Sequence, residues 1–213
     1  MNAAEFTLPK ALPGFEAVNR YWDRRMNVPA AKILPGEFYV STQGEMIGTV
    51  LGSCISACIR DTVIGVGGMN HFMLPVKGGN STDGWGGSEV SASLRYGNWA
   101  MEYLINEILK QGGHRDRLEV KIFGGGQVLK NMTDIGSRNI EFVRAYLFKE
   151  GLSVMSEDVG DVFPRKVLYF PDTGAVKLKK LRTVNNSTVE QRERKYITSI
   201  NTEESKGGDI ELF

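Results

Sequence analysis

The stretch IGTVLGSCISACIRDTVIGVGGMNHFMLP, residues 47–75, holds both cysteines of the chain and one of its two histidines. Two β-rich segments within it, Ser53 to Ile59 and Val63 to Met69, flank the charged Arg60-Asp61-Thr62, a pattern that predicts a hairpin. Folding back a hairpin returns its far end to its beginning. Cys54, just after Gly52-Ser53, and His71, just after the second run, are therefore expected on neighbouring strands at one end of a sheet. A thiol beside an imidazole can be activated, because the base takes its proton or the imidazolium stabilises the thiolate.

The plainer role for a cysteine in an apolar run is that of a small buried hydrophobe, and Cys58 fits it. A Cys54–Cys58 disulfide is disfavoured, since four strand residues separate the two Cα atoms by about 13 Å, farther than a disulfide reaches. A zinc site from Cys54, Cys58, His71 and His114 is disfavoured too, because a C-x3-C pair along a strand converges poorly on one ion. No metal and no cofactor are expected. The small residues ahead of Cys54 set it apart: they leave room for a substrate and expose peptide N–H groups.

The rest of the chain reads as support for this stretch. With 213 residues, 41% hydrophobic and 24% charged, the composition suits one soluble domain with a substantial core. A formal net charge of +1 gives no broad attraction for nucleic acid or for an anionic membrane. The N-terminus lacks the order of a signal peptide, and no apolar run is long enough to span a bilayer, so no membrane insertion is expected. Two cysteines without disulfide spacing point to the cytoplasm.

Residues 1–36 carry four of the seven prolines and are expected to form an arm without long regular elements, apart from a short helix around Phe15 to Arg25. Alternation from Glu37 predicts a strand. Val76 to Glu89, with five glycines, reads as a loop beside the active site in which Trp85 could cover substrate. Leu94 to Lys110 is the clearest helix, with Gly97, Met101, Leu104, Ile105 and Ile108 at three- and four-residue steps before Gly112-Gly113. Gly97 there implies close packing against a neighbouring backbone. A strand over Leu118 to Phe123 runs into Gly124-Gly125-Gly126, which lacks the P-loop and dinucleotide spacings and instead suggests main chain approaching the site.

A second helix is expected from Gly136 to Glu150, then strands over Ser153 to Glu157, Lys166 to Phe170 and Ala175 to Leu181. Residues 183–213 form a charged tail, in which Ser187-x-x-Glu190 caps a short helix and EQRERK reads as a solvated face. The last residues look disordered, with an apolar tip that could meet a partner. About eight strands and two substantial helices give a mixed α/β layered sandwich with the helices outside, residues 37–182 forming the catalytic domain.

Six blocks in order, TVLGSCISAC, GGMNHFMLP, RYGNWAM, FGGG, IGSRNIEFV and RKVLYFPDTGAV, closely resemble the bacterial chemoreceptor glutamine deamidases of the CheD family. The resemblance covers about Leu34 to Leu181. It implies a catalytic set of Cys54, His71 and Thr49, and a fold similar to the catalytic domain of the cytotoxic necrotising factor toxins. Candidates for substrate binding and for the oxyanion are Gly52, Ser53, Asn70 and Gly125. The substrates implied are glutamines on the cytoplasmic helices of methyl-accepting chemoreceptors, with a CheC-type phosphatase as a possible partner. A non-catalytic adaptor for receptors or for that phosphatase is the competing reading.

Overall fold

The computed structural model describes residues 7–75, 87–129, 134–182 and 187–206. The predicted glycine-rich loop with Trp85 and the last seven residues lie largely outside them. Among the described residues there are ten strands and three α-helices. One five-stranded sheet has the order β1 (Asn19–Asp23), β2 (Val28–Lys32), β4 (Met46–Leu51), β9 (Arg165–Phe170), β10 (Ala175–Lys180). The other has the order β3 (Phe38–Ser41), β6 (Gly67–Asn70), β5 (Ile55–Asp61), β7 (Leu118–Gly124), β8 (Val154–Val159). Both are mixed: β2 runs parallel to β4 and β7 parallel to β8, while the remaining pairs are antiparallel.

The buried residues of both sheets belong to a single apolar cluster, with Ile47, Leu51 and Val167 from the first sheet and Cys58, Met69 and Phe123 from the second among its members. Helix α1 (Gly87–Lys110) packs on β3, β5 and β6, and α2 (Asp134–Lys149) packs on β5 and on α1. Met101, Leu104, Ile105 and Ile108, the predicted stripe of α1, are all buried, and each such side chain contributes roughly 1.5–3 kcal/mol by leaving water. Gly97 admits a neighbour as expected, but a side chain rather than backbone: a Cβ there would run into the Phe142 ring. Helix α3 (Ser187–Lys206) is longer than the sequence suggests.

The arm is more regular than its prolines imply. Residues 19–32 form the antiparallel hairpin β1–β2, turned at Asn27 with φ 53°, instead of a helix. Pro29 lies opposite Trp22 of β1, and pairing of β2 with β4 begins only at Ala30, so β4 does not require its missing N–H.

The hairpin containing both cysteines forms in the expected sense, with Cys58 opposite Met69 and Ile59 opposite Gly68. Its turn falls a little later than Arg60-Asp61-Thr62, because Asp61 ends β5 and its carboxylate organises the turn residues after it. It accepts hydrogen bonds from the N–H groups of Val63 (2.8 Å), Ile64 (3.2 Å) and His114 (2.8 Å) and from Arg117 Nε (2.8 Å). Burial alone would raise the pKa of Asp61, but these donors outweigh it and bring the group down to about 2. Stability from a depressed carboxylate is present above its unfolded pKa and lost as pH falls through the folded one. Asp61→Asn should therefore cost about 1–3 kcal/mol at neutral pH. In chemical denaturation the gap to wild type should close as pH drops from 3.8 towards 2; a pH-independent gap would contradict this account.

Candidate active site

The chain passes from one sheet to the other at Gly52-Ser53-Cys54, between β4 and β5. Beyond β6 the ladder continues by one bridge, in which Ile55 and Phe72 exchange both main-chain hydrogen bonds (2.9 and 3.0 Å). In that register Cys54 and His71 are diagonal neighbours on the same face of the sheet. Cys54 Sγ, a ring nitrogen of His71 and a carboxylate oxygen of Glu193 all lie within 4.8 Å of one another. The expected meeting of thiol and imidazole therefore occurs.

Thr49 reaches the imidazole from the opposite sheet. Its hydroxyl donates to Ile33 O at 2.8 Å and lies 2.8 Å from His71 Nδ1. A carbonyl can only accept, and a hydroxyl carries one proton, so Thr49 must accept from Nδ1–H. That leaves the Nε2 lone pair free to act as a base, and Nε2 is indeed buried without a hydrogen-bond partner among the described residues. Thr49→Val should release this tautomer and lower kcat by about 10–100-fold at nearly constant KM, with Thr49→Ser restoring most of it. Steady-state kinetics read both; an unaffected kcat in Thr49→Val would remove the orienting role.

The turn itself is held from behind. Gly126 N–H donates to Gly52 O (2.7 Å), the side-chain amide of Asn139 on α2 to Ser53 O (2.8 Å), and Gly125 N–H to Cys54 O (2.7 Å). Asn139 also accepts from Leu74 N–H (2.9 Å), tying the cysteine turn to the segment after His71. Gly124 has φ 115° and a Cβ there would overlap Cys54 O, so only glycine permits this approach. The buried Arg165 donates to Gly124 O and pairs with Asp158 at 3.1 Å, fixing the glycine loop.

With its carbonyls occupied, the turn presents three N–H groups on its other side. Gly52 and Cys54 donate to Glu193 Oε1 (2.8 and 3.2 Å) and Ser53 donates to Oε2 (2.9 Å). Such a converging set favours an anionic oxygen. Glu193 comes from α3, in the tail read as a solvated face, yet it is 1% exposed. The sequence signal for it is the stripe Val189, Glu193, Ile197, Ile200, all buried, in which one carboxylate interrupts an apolar helical face.

Cys54 is wholly buried and His71 is 1% exposed. Burial first, then the Glu193 carboxylate and its hydrogen bond, push the Cys54 thiol well up. Burial, with a smaller effect of Arg192, pushes His71 down to about 3. The site thus holds a thiol and a neutral imidazole. Cys54, His71 and Glu193 lie close enough together to offer ligand atoms to one metal ion, but both Glu193 oxygens are engaged by peptide N–H groups. The zinc set weighed from sequence does not assemble, for His114 is exposed beyond the Asp61 end of β5.

Of the other candidates, Gly52 and Ser53 lie in the anion-binding turn, and Ser53 Oγ is buried without a partner among the described residues. Asn70 lines the cleft beside His71, while its amide accepts from Ala57 N–H (2.8 Å) and donates to Ala100 O (3.0 Å), joining β5 and β6 to α1. Gly125 contributes by supporting Cys54, its N–H already taken. Asn139, Arg165 and Glu193 were missed by reasoning from sequence, although Asn139 and Arg165 lie in two of the recognised blocks.

A family model described as CheD chemotactic sensory transduction matches residues 73–180. A protein of Halorhodospira halophila, called a probable chemoreceptor glutamine deamidase CheD, is 55% identical over 207 residues, covering 97% of this chain and 95% of its own. The chain belongs to the CheD family. CheD proteins with the same description from Hahella chejuensis and Saccharophagus degradans are 51% and 52% identical, covering 96% and 99% of the chain and 95% and 96% of theirs. The mixed two-sheet architecture with outer helices is thus the frame in which this CheD chain carries its cysteine turn.

Proposed function

We propose that the chain is a chemoreceptor glutamine deamidase in which Cys54 is the nucleophile, His71 the acid and base, and Thr49 the group that orients His71. The observation that carries this reading is the Cys54 thiol beside an imidazole whose Nε2 is free, at a turn with three converging N–H groups. His71 Nε2 takes the thiol proton and the thiolate attacks the carboxamide carbon of a glutamine side chain. The developing oxyanion is stabilised by N–H groups of Gly52, Ser53 and Cys54. His71 returns the proton to the departing nitrogen, so that ammonia leaves and a thioester remains. Water, deprotonated by His71, then hydrolyses the thioester to glutamate and restores the thiol.

The substrates are glutamines on the helical cytoplasmic part of chemoreceptors, which agrees with the activity by which the relatives are named. The reaction belongs in the cytoplasm, and no described helix is long and apolar enough to cross a membrane. A CheC-type phosphatase is a second binding partner in this reading. Incubation of the purified protein with receptor cytoplasmic fragments, followed by peptide mass mapping, should reveal glutamine-to-glutamate conversion and equivalent ammonia. Binding of those fragments without conversion, under conditions that expose Cys54, would favour a non-catalytic adaptor.

A further inference from the structure

The three N–H groups that would receive the oxyanion are already occupied by a carboxylate of the same chain. Glu193 bears the side chain that deamidation produces, it projects from a helix, and it sits within 4.8 Å of both Cys54 and His71. Its neighbours one turn away on either side, Val189 and Ile197, are buried with it, and Ile200 continues the stripe. Tyr196 adds a side contact, its hydroxyl bonded to that of Tyr96 on α1 and its ring 3.0 Å from a Cβ built on Gly36. Gly36 and Tyr96 also line an apolar cleft of about 170 Å³ with Phe38, Trp99 and Tyr103, beside His71. Helix α3 is therefore docked along one rim of a groove, with a glutamate where chemistry would occur.

Resting on the deamidase reading, we propose that α3 is an intramolecular product analogue that occupies the substrate-helix site, so that a glutamine-bearing helix must displace it to reach Cys54. The arrangement agrees with the direction in which the thiol is shifted: burial first, and then the carboxylate in the anion site, oppose a negative charge on the adjacent sulfur. It also gives the substrate a shape. The partner must present a glutamine on an otherwise apolar helical face, with apolar residues four positions before and after it, as α3 does around Glu193. A ligand that binds only the undocked form shifts the population towards it.

The decisive variant is Glu193→Gln in the full chain, which changes the bound product side chain into a substrate side chain. Cys54 should bond to the introduced amide carbon, the C–N bond should break with release of ammonia, and water should hydrolyse the thioester to the original glutamate. The purified variant should revert by intact mass and peptide mapping, with one ammonia per chain, whereas Glu193→Gln combined with Cys54→Ala should keep its amide. Persistence of the amide in a variant that still deamidates receptor fragments would overturn the product-analogue assignment and leave the deamidase reading standing. Absence of both activities would overturn the deamidase reading and the inference with it.

Ile197→Asp supplies a readout that does not need the introduced amide to be well seated. Burying a charge on the docked face disfavours docking, so Cys54 alkylation by iodoacetamide, mapped to its own peptide, should accelerate by about tenfold or more. Receptor turnover should rise in parallel. Alkylation and turnover both at wild-type rates would overturn the inference, as would a loss of turnover in a folded Ile197→Asp protein whose Cys54 alkylates faster.

Discussion

Cys54→Ala is expected to reduce deamidation of receptor fragments by roughly 10⁴-fold or more, because removal of a covalent nucleophile eliminates the thioester route altogether. The substitution leaves the turn intact: the hydrogen bonds from Gly126, Asn139 and Gly125 that hold it all end on main-chain carbonyls. Binding of receptor fragments should survive once α3 is displaced, so the loss belongs to kcat. Peptide mass mapping after long incubation is the appropriate measurement. Conversion at a rate comparable with wild type would place the nucleophile elsewhere, and Cys58 offers no substitute, since it is Cys54 and not Cys58 that is grouped with His71 among the described residues.

His71→Ala should lower turnover by about 10²–10⁴-fold, the range expected when a positioned acid and base is removed. A pH signature accompanies it. In the docked state His71 is held neutral, its pKa depressed from 6.5 to about 3 by burial and, to a smaller extent, by the charge of Arg192. The unfolded chain then binds one more proton than the folded chain between those values, so this histidine progressively destabilises the fold as pH falls from 6.5 towards 3. His71→Gln should remove that component. Its stability relative to wild type should improve with acidification over this window in denaturant titrations. A constant difference across the window would show that the imidazole is not held neutral.

The two tests bear on different parts of the site. Cys54 and His71 were legible because a hairpin relates sequence positions by simple reflection: residues equidistant from the turn face each other, and parity decides the face. The exact register, with Cys58 opposite Met69, came from the structure, because the turn falls later than the charged triplet. Thr49 was reached only through the resemblance. No periodicity links residue 49 to residue 71, since their contact crosses from one sheet to the other and depends on where the chain changes sheets.

What the amino-acid order determined alone was therefore local: strand and helix periods, the hairpin that brings a thiol to an imidazole, glycines where main chain must approach main chain, and family membership through six ordered blocks. The helices outside a layered sandwich followed from element counting. Tertiary structure decided the rest. It converted the proline-bearing arm into two strands, because a sheet edge supplied hydrogen-bond partners that the isolated segment lacks. It also turned a charged tail into the occupant of the active site. A glutamate between arginines has every local reason to stay in water. Three convergent peptide N–H groups, about 140 residues away in sequence, override that preference by replacing its hydration shell, and a partner so remote cannot be read from the neighbours of Glu193.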